Sequence, residues 1–95
     1  MKIVGTIERM KISEEKKFLE IVLQTAEENS NYFLMNYFYG NNFYKIENLK
    51  IGDMIITEAY LKGRKWINPE SGEISYFMSF NVNKLAVIDM GGNNE

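Results

Sequence analysis

The clearest indication of the fold lies in residues 32–61, YFLMNYFYGNNFYKIENLKIGDMIITEAYL. The first eight of these residues carry five aromatic side chains and end before Gly40, which is typical of a strand that stops at a turn. Residues 43–49 place apolar side chains at near-helical spacing and predict one or two helical turns. Residues 54–61 are rich in β-branched and apolar side chains and predict another strand. Residues 32–61 therefore predict a strand, a short helix and a second strand, in that order.

Two further strands are predicted before this region. Residues 2–12 are rich in β-branched side chains, and Ile3, Gly5 and Ile7 share one face of the predicted strand. After a charged turn at residues 13–17, residues 18–25 alternate between apolar and polar side chains, as in a half-buried strand. A second turn is predicted at residues 27–31, where acidic and amide side chains cluster.

A long fifth strand is predicted at residues 74–88, after a reverse turn that contains Pro69 and Gly72. Five strands with a helix between the third and fourth follow the plan of an OB-fold. We therefore predict an all-β, five-stranded OB-fold barrel with one short helix between strands 3 and 4. Residues 1–90 are expected to form this single domain, and residues 91–95 a short flexible tail.

The composition excludes several classes of chemistry. The chain has 95 residues and contains neither cysteine nor histidine, so no disulfide, thiolate, histidine-based dyad or common zinc site can form. We expect no enzyme activity, no cofactor and no metal. No apolar segment has the length of a signal peptide core or a membrane span, which favours a cytoplasmic protein without membrane contact.

The hairpin after the predicted helix carries a recognisable pattern. Residues 50–66 contain Lys-Ile-Gly, an apolar strand, Glu58, Leu61 and then Arg64-Lys65-Trp66. This pattern resembles the fourth strand of the OB-fold single-stranded DNA-binding proteins of bacteria, and the turn and apolar strand that follow fit the same order. The resemblance implies a protein that binds single strands through aromatic side chains.

The resemblance also implies which residues take part. In that family, bases stack on aromatic residues of the strand before the helix, and aligning the terminal glycine with Gly40 places these positions at Phe33 and Tyr39. The period-2 rule puts Tyr37 on the same strand face. In the same family, basic residues of the hairpin approach phosphates, and Trp66 matches a hairpin tryptophan that lies near the bound single-stranded DNA. The predicted nucleic-acid-binding residues are Phe33, Tyr37, Tyr39, Lys62, Arg64, Lys65, Trp66 and Tyr76.

Two functions are compatible with these residues. The first is binding of single-stranded DNA without sequence preference, in replication, recombination, repair or a mobile element; RNA fits the same surface, since discrimination depends on 2′-hydroxyl contacts. The second is a protein-interaction or structural OB-fold, favoured by the net charge of −2. Both faces of the aromatic strand are apolar, so one face is core and the other binds a ligand, forms a subunit interface or is covered by ordinary packing. A homodimer or homotetramer is expected.

Overall fold

The computed structural model describes residues 1–25 and 31–89. Within these residues it forms five strands and one 3₁₀ turn: β1 (Lys2–Ser13), β2 (Phe18–Gln24), β3 (Tyr32–Phe38), the 3₁₀ turn (Phe43–Lys45), β4 (Met54–Ile67) and β5 (Ile74–Asp89). The strands close into a barrel in the order β1-β2-β3-β5-β4. Only β3 and β5 pair in parallel within the described barrel; the other pairs are antiparallel. The predicted all-β, five-stranded barrel is confirmed.

Some predictions fall outside the described residues. The turn at residues 27–31 lies there apart from Asn31, and so does the tail at residues 91–95. The expected boundary at residue 90 lies there as well. The division into one domain and a tail therefore stays a prediction.

The alternating patterns of β1 and β2 supply one wall of the core. Leu19, Ile21 and Leu23 of β2 all point inward and are buried. Across the strand pair, Ile7 of β1 lies opposite Leu23, and it too is buried. Because successive side chains of a strand point to opposite faces, the polar positions between them face outward. The predicted faces of both strands are confirmed.

The inward face of β3 is the one that the sequence analysis assigned to DNA. Tyr37 lies opposite Leu19, and Met35 lies opposite Ile21. Directly opposed residues in an antiparallel pair share a face, so these β3 side chains enter the same core as their β2 partners. The outward face of β3 instead carries Leu34 and Phe38, which are exposed.

The predicted one or two helical turns between β3 and β4 are present as a single 3₁₀ turn. Only Phe43–Lys45 forms a 3₁₀ turn, and a further turn follows. Ile46 and Leu49 are nevertheless buried and belong to the core. These two side chains therefore pack into the core without a full helix between them.

The β4–β5 hairpin is longer than predicted. β4 continues to Ile67 rather than ending at Leu61, so the basic residues and Trp66 lie in a strand. The turn beyond it is fixed by Asn68, whose amide donates to the Glu73 carbonyl oxygen at 2.8 Å and whose Oδ1 accepts from the amide of Glu70 at 2.8 Å. The hairpin extends the molecule, whose principal dimensions are 57 × 36 × 19 Å.

Gly5 is required where β1 passes close to the end of β2. A Cβ atom at this position would lie 2.7 Å from the carbonyl oxygen of Gln24, which is backbone and cannot rotate away. We expect Gly5→Ala to lower the free energy of unfolding by about 1–3 kcal/mol, the usual range for overpacking. Urea denaturation measures this loss.

Gly63 provides the matched control for this substitution. It also lies in a strand, but a Cβ atom there would meet nothing within 4 Å. Gly63→Ala should therefore leave stability unchanged or raise it slightly. Equal stabilities for the two variants would contradict the close approach at Gly5.

Candidate nucleic-acid interface

The hairpin formed by β4 and β5 has two faces, which are set by the alternation of β4. Ile55, Thr57 and Ala59 point into the barrel and are buried. The alternation continues beyond the barrel, so Lys65 lies on the extension of the inward face. The residues between them, including Lys62, lie on the outward face.

A groove of about 750 Å³ runs along the outward face, where the hairpin meets β3. Phe38 of β3, Tyr60 of β4 and Phe77 of β5 contribute aromatic rings to its lining. Phe38 is 68% exposed and Phe77 is 56% exposed, so neither ring is committed to the core. Their faces are available to a ligand.

The charged side chains that line the groove, among the described residues, are all positive. Lys16, Lys62 and Arg64 line it, and no aspartate or glutamate of residues 1–25 or 31–89 does so. The chain as a whole carries a net charge of −2, so this surface differs in sign from the average. Local charge decides which ligand approaches a site, and here it favours an anion.

Amide and hydroxyl groups occupy the middle of the groove. Asn36 of β3 lies beside Asn81 of β5, and Asn81 lies opposite Tyr60 of β4. All three line the groove. A row of hydrogen-bonding groups therefore crosses its floor between the aromatic rings of Phe38 and Phe77.

Trp66 extends this outward face toward the tip of the hairpin. It lies two residues beyond Arg64, opposite Ser75 of β5, and it is 50% exposed. Arg64 itself lies opposite Phe77. The face thus presents a cation between aromatic side chains, which suits a phosphate flanked by bases.

The predicted site residues are divided among three environments. Lys62 and Arg64 line the groove, and Trp66 continues its face. Lys65 and Tyr76 lie opposite each other on the other face of the hairpin. The hairpin is thus the common location of five predicted residues, but they are not brought together on one surface.

The predicted exposure of Tyr37 in β3, and of Tyr39 just after it, is wrong. Tyr37 is 8% exposed and Tyr39 6% exposed, and both belong to the core. Tyr39 packs edge-to-face against Phe43, with ring centroids 5.7 Å apart. Phe33 is half-buried and packs edge-to-face against Phe80 at 5.6 Å. Closure of the barrel turns this face inward, so these rings stabilise the fold.

Three exposed aromatic residues of the groove were not among the predicted site residues: Phe38, Tyr60 and Phe77. Phe38 lies on the strand face opposite to that of the family-matched Tyr39, and it is this face rather than the predicted one that is exposed. The alternation of β4 contains a usable signal, since Tyr60 is followed at intervals of two by Lys62 and Arg64. Phe77 had no such signal, because its position depends on the register of β5.

The other face of the hairpin is mainly apolar. Its exposed side chains include Leu61, Ile67, Ile74, Tyr76 and Met78, with Lys65 among them. This face continues the barrel interior past the point where the barrel closes. It differs in chemistry from the groove on the opposite side.

The closed barrel, with a 3₁₀ turn between β3 and β4, has the architecture of an OB-fold. Crystal structures of the mitochondrial single-stranded DNA-binding protein Rim1 from S. cerevisiae have the same fold. In one structure of form 2 the TM-score is 0.71 at 16% identity, covering 96% of this chain and 95% of that chain. In form 1 the TM-score is 0.63 at 16% identity, with 96% of each chain covered. The predicted resemblance is confirmed at the level of fold.

Residues 2–86 match the family described as Domain of unknown function (DUF3127), and the chain belongs to that family. No curated protein sequence matches the chain significantly. In the described ranges 1–25 and 31–89, no helix combines the length and apolar character that a membrane crossing requires.

Proposed function

We propose that this protein binds single-stranded DNA, without sequence preference, in the groove on the outward face of the β4–β5 hairpin. The observation that carries the proposal is the combination of exposed aromatic rings and cations in one groove that no described carboxylate lines. The fold gives independent support, since the structural neighbour Rim1 is a single-stranded DNA-binding protein.

Stacking and phosphate neutralisation would share the binding energy. A base stacked on an aromatic ring contributes about 1–3 kcal/mol, whatever its identity, because every base has a π-face. Phe38, Phe77 and Trp66 offer three such rings. Lys62 and Arg64 would neutralise phosphates and release counterions, which makes affinity depend on salt.

The experiment that tests this function measures the anisotropy of labelled poly-dT at several salt concentrations. We expect Lys62→Gln and Arg64→Gln each to weaken binding and to reduce the slope of log affinity against log salt by about 0.7, the value for one phosphate contact on a single strand. Double-stranded DNA should compete poorly, since stacking requires unpaired bases.

Lys65→Gln is the matched control, because Lys65 is a neighbouring exposed cation on the other face of the hairpin. It should change the salt slope less than Arg64→Gln does. If poly-dT failed to bind the unmodified protein at low salt, the proposed function would be wrong. Equal slopes for the three variants would instead reject the assigned groove.

The apolar face of the hairpin favours a second role beside the first. Its exposed apolar side chains form a patch, as expected of a subunit or partner interface. We propose that the expected homodimer or homotetramer uses this face. Light scattering of a Tyr76→Ala/Met78→Ala variant should then give a lower mass than the unmodified chain, and an unchanged mass would contradict this location.

The remaining expectations keep the status of predictions. A protein that covers single strands would serve replication, recombination, repair or a mobile element, and RNA would compete for the same groove. The proposal requires no cofactor, metal or catalytic step. A cytoplasmic location is also proposed, as the sequence analysis predicted.

A further inference from the structure

A second cavity, of about 510 Å³, lies on the barrel wall next to the groove. Three lysines from different elements line it: Lys2 of β1, Lys45 of the 3₁₀ turn and Lys84 of β5. These residues are far apart in the sequence, so only the closed barrel brings them together. The proposed function uses none of them.

The register of the sheet explains why two of these lysines are neighbours. Lys2 lies opposite Glu58, and Glu58 lies opposite Lys84, so the three form a row across β1, β4 and β5. Glu58 is the only carboxylate among the described lining residues, and it forms an ion pair with the amino group of Met1 at 3.5 Å.

Among residues 1–25 and 31–89, Glu58 is the single carboxylate that lines this cavity with the three lysines. Within the described part of the chain, none of the three lysines has a carboxylate oxygen within 4.0 Å. All three are exposed. A cavity with three such ammonium groups and one carboxylate attracts an anion, although the whole chain is acidic.

The groove and this cavity meet at Asn83, which lines both. Asn83 lies where the β4–β5 register shifts, because Glu58 lies opposite Lys84 whereas Ala59 lies opposite Val82. The extra residue forms a bulge, a feature that bends a strand and re-aims its side chains. The groove and the cavity are therefore adjacent and share Asn83 as a lining residue.

We propose that a single strand bound in the groove continues across Asn83 and places its phosphates among Lys2, Lys45 and Lys84. This inference rests on the proposed function and adds a second binding segment to it. The groove binds bases by stacking and phosphates by charge, whereas the cavity binds phosphates only, through its lysine ammonium groups. The cavity should therefore contribute only to strands long enough to reach it.

The test compares two lengths of oligo-dT, about 5 and about 15 nucleotides, which fall within the range of site sizes of OB-folds. The variant is Lys2→Gln/Lys45→Gln/Lys84→Gln. The control is Lys11→Gln/Lys17→Gln/Lys50→Gln, which removes the same charge from exposed lysines that line neither the groove nor the cavity. Thermal unfolding confirms that both variants are folded.

We expect the cavity variant to bind the short oligonucleotide as the control does. Its affinity for the long one should fall by a factor of ten or more relative to the control, and its salt slope should be smaller by about 2, as three lost phosphate contacts predict. Equal affinities of the two variants for the long strand would overturn this inference. If the unmodified protein bound neither length, the proposed function itself would fail, which is a distinguishable result.

Discussion

Replacing Phe38 and Phe77 together with alanine should weaken the binding of single-stranded DNA by about 30-fold or more. Each ring can stack one base at about 1–3 kcal/mol, and the loss of two stacks at the lower limit corresponds to about 2 kcal/mol. Both side chains are exposed, so their removal leaves the core intact. Fluorescence anisotropy with labelled oligo-dT measures the change, and thermal unfolding checks the fold.

The matched control for this double variant is Tyr76→Ala/Met78→Ala. These side chains are as exposed as the first pair and lie on the same hairpin, but on its opposite face. With an oligonucleotide short enough for one chain to bind, the control should keep the affinity of the unmodified protein. If instead the control lost affinity and the groove variant did not, the single strand would lie on the other face.

Replacing Tyr39 with alanine should lower the free energy of unfolding by about 3–5 kcal/mol, as other large aromatic truncations in cores do. Tyr39 is buried in the core and packs against Phe43, so the substitution leaves a cavity there. For a domain of this size the melting temperature should fall by more than about 10 °C. Calorimetry or circular dichroism measures it.

Tyr39 also separates a structural role from a binding role. The family resemblance places a stacking residue at this position, whereas the structure buries its ring. Tyr39→Leu keeps an apolar side chain there and should yield enough folded protein for titration. We expect its affinity for poly-dT to match that of the unmodified protein. A large loss of affinity with little loss of stability would contradict the assignment of Tyr39 to the core.

Element order and strand alternation were readable from the sequence because each strand follows a simple rule. The inward residues of β1 and β2 were indicated by apolar alternation, since their other face carries polar side chains such as Thr6, Glu20 and Gln24. β3 offered less contrast. Asn36 is the one amide on its outward face, and Leu34 and Phe38 beside it are as apolar as Met35 and Tyr37 on the other face, so pairing with β2 and closure of the barrel decide which face is buried.

The hairpin was located correctly but its two faces were not separated. The matched pattern Arg64-Lys65-Trp66 places three residues side by side in sequence, and a strand then points the middle one away from the other two. Tyr76 follows Lys65 to the other face because the register of β5 pairs them. This register depends on the bulge at Asn83, where β5 has one residue more than β4. Nothing in the local sequence predicts that bulge.

The most direct test is a titration of Trp66 fluorescence with poly-dT of about 30 nucleotides, at low and at high salt. Trp66 is the only tryptophan, is half-exposed and lies on the outward face of the hairpin, so its emission reports on that face alone. The proposed site predicts saturable quenching at low salt that weakens steeply as salt increases. Unchanged emission at both salt concentrations, together with no change in the anisotropy of labelled poly-dT, would contradict it.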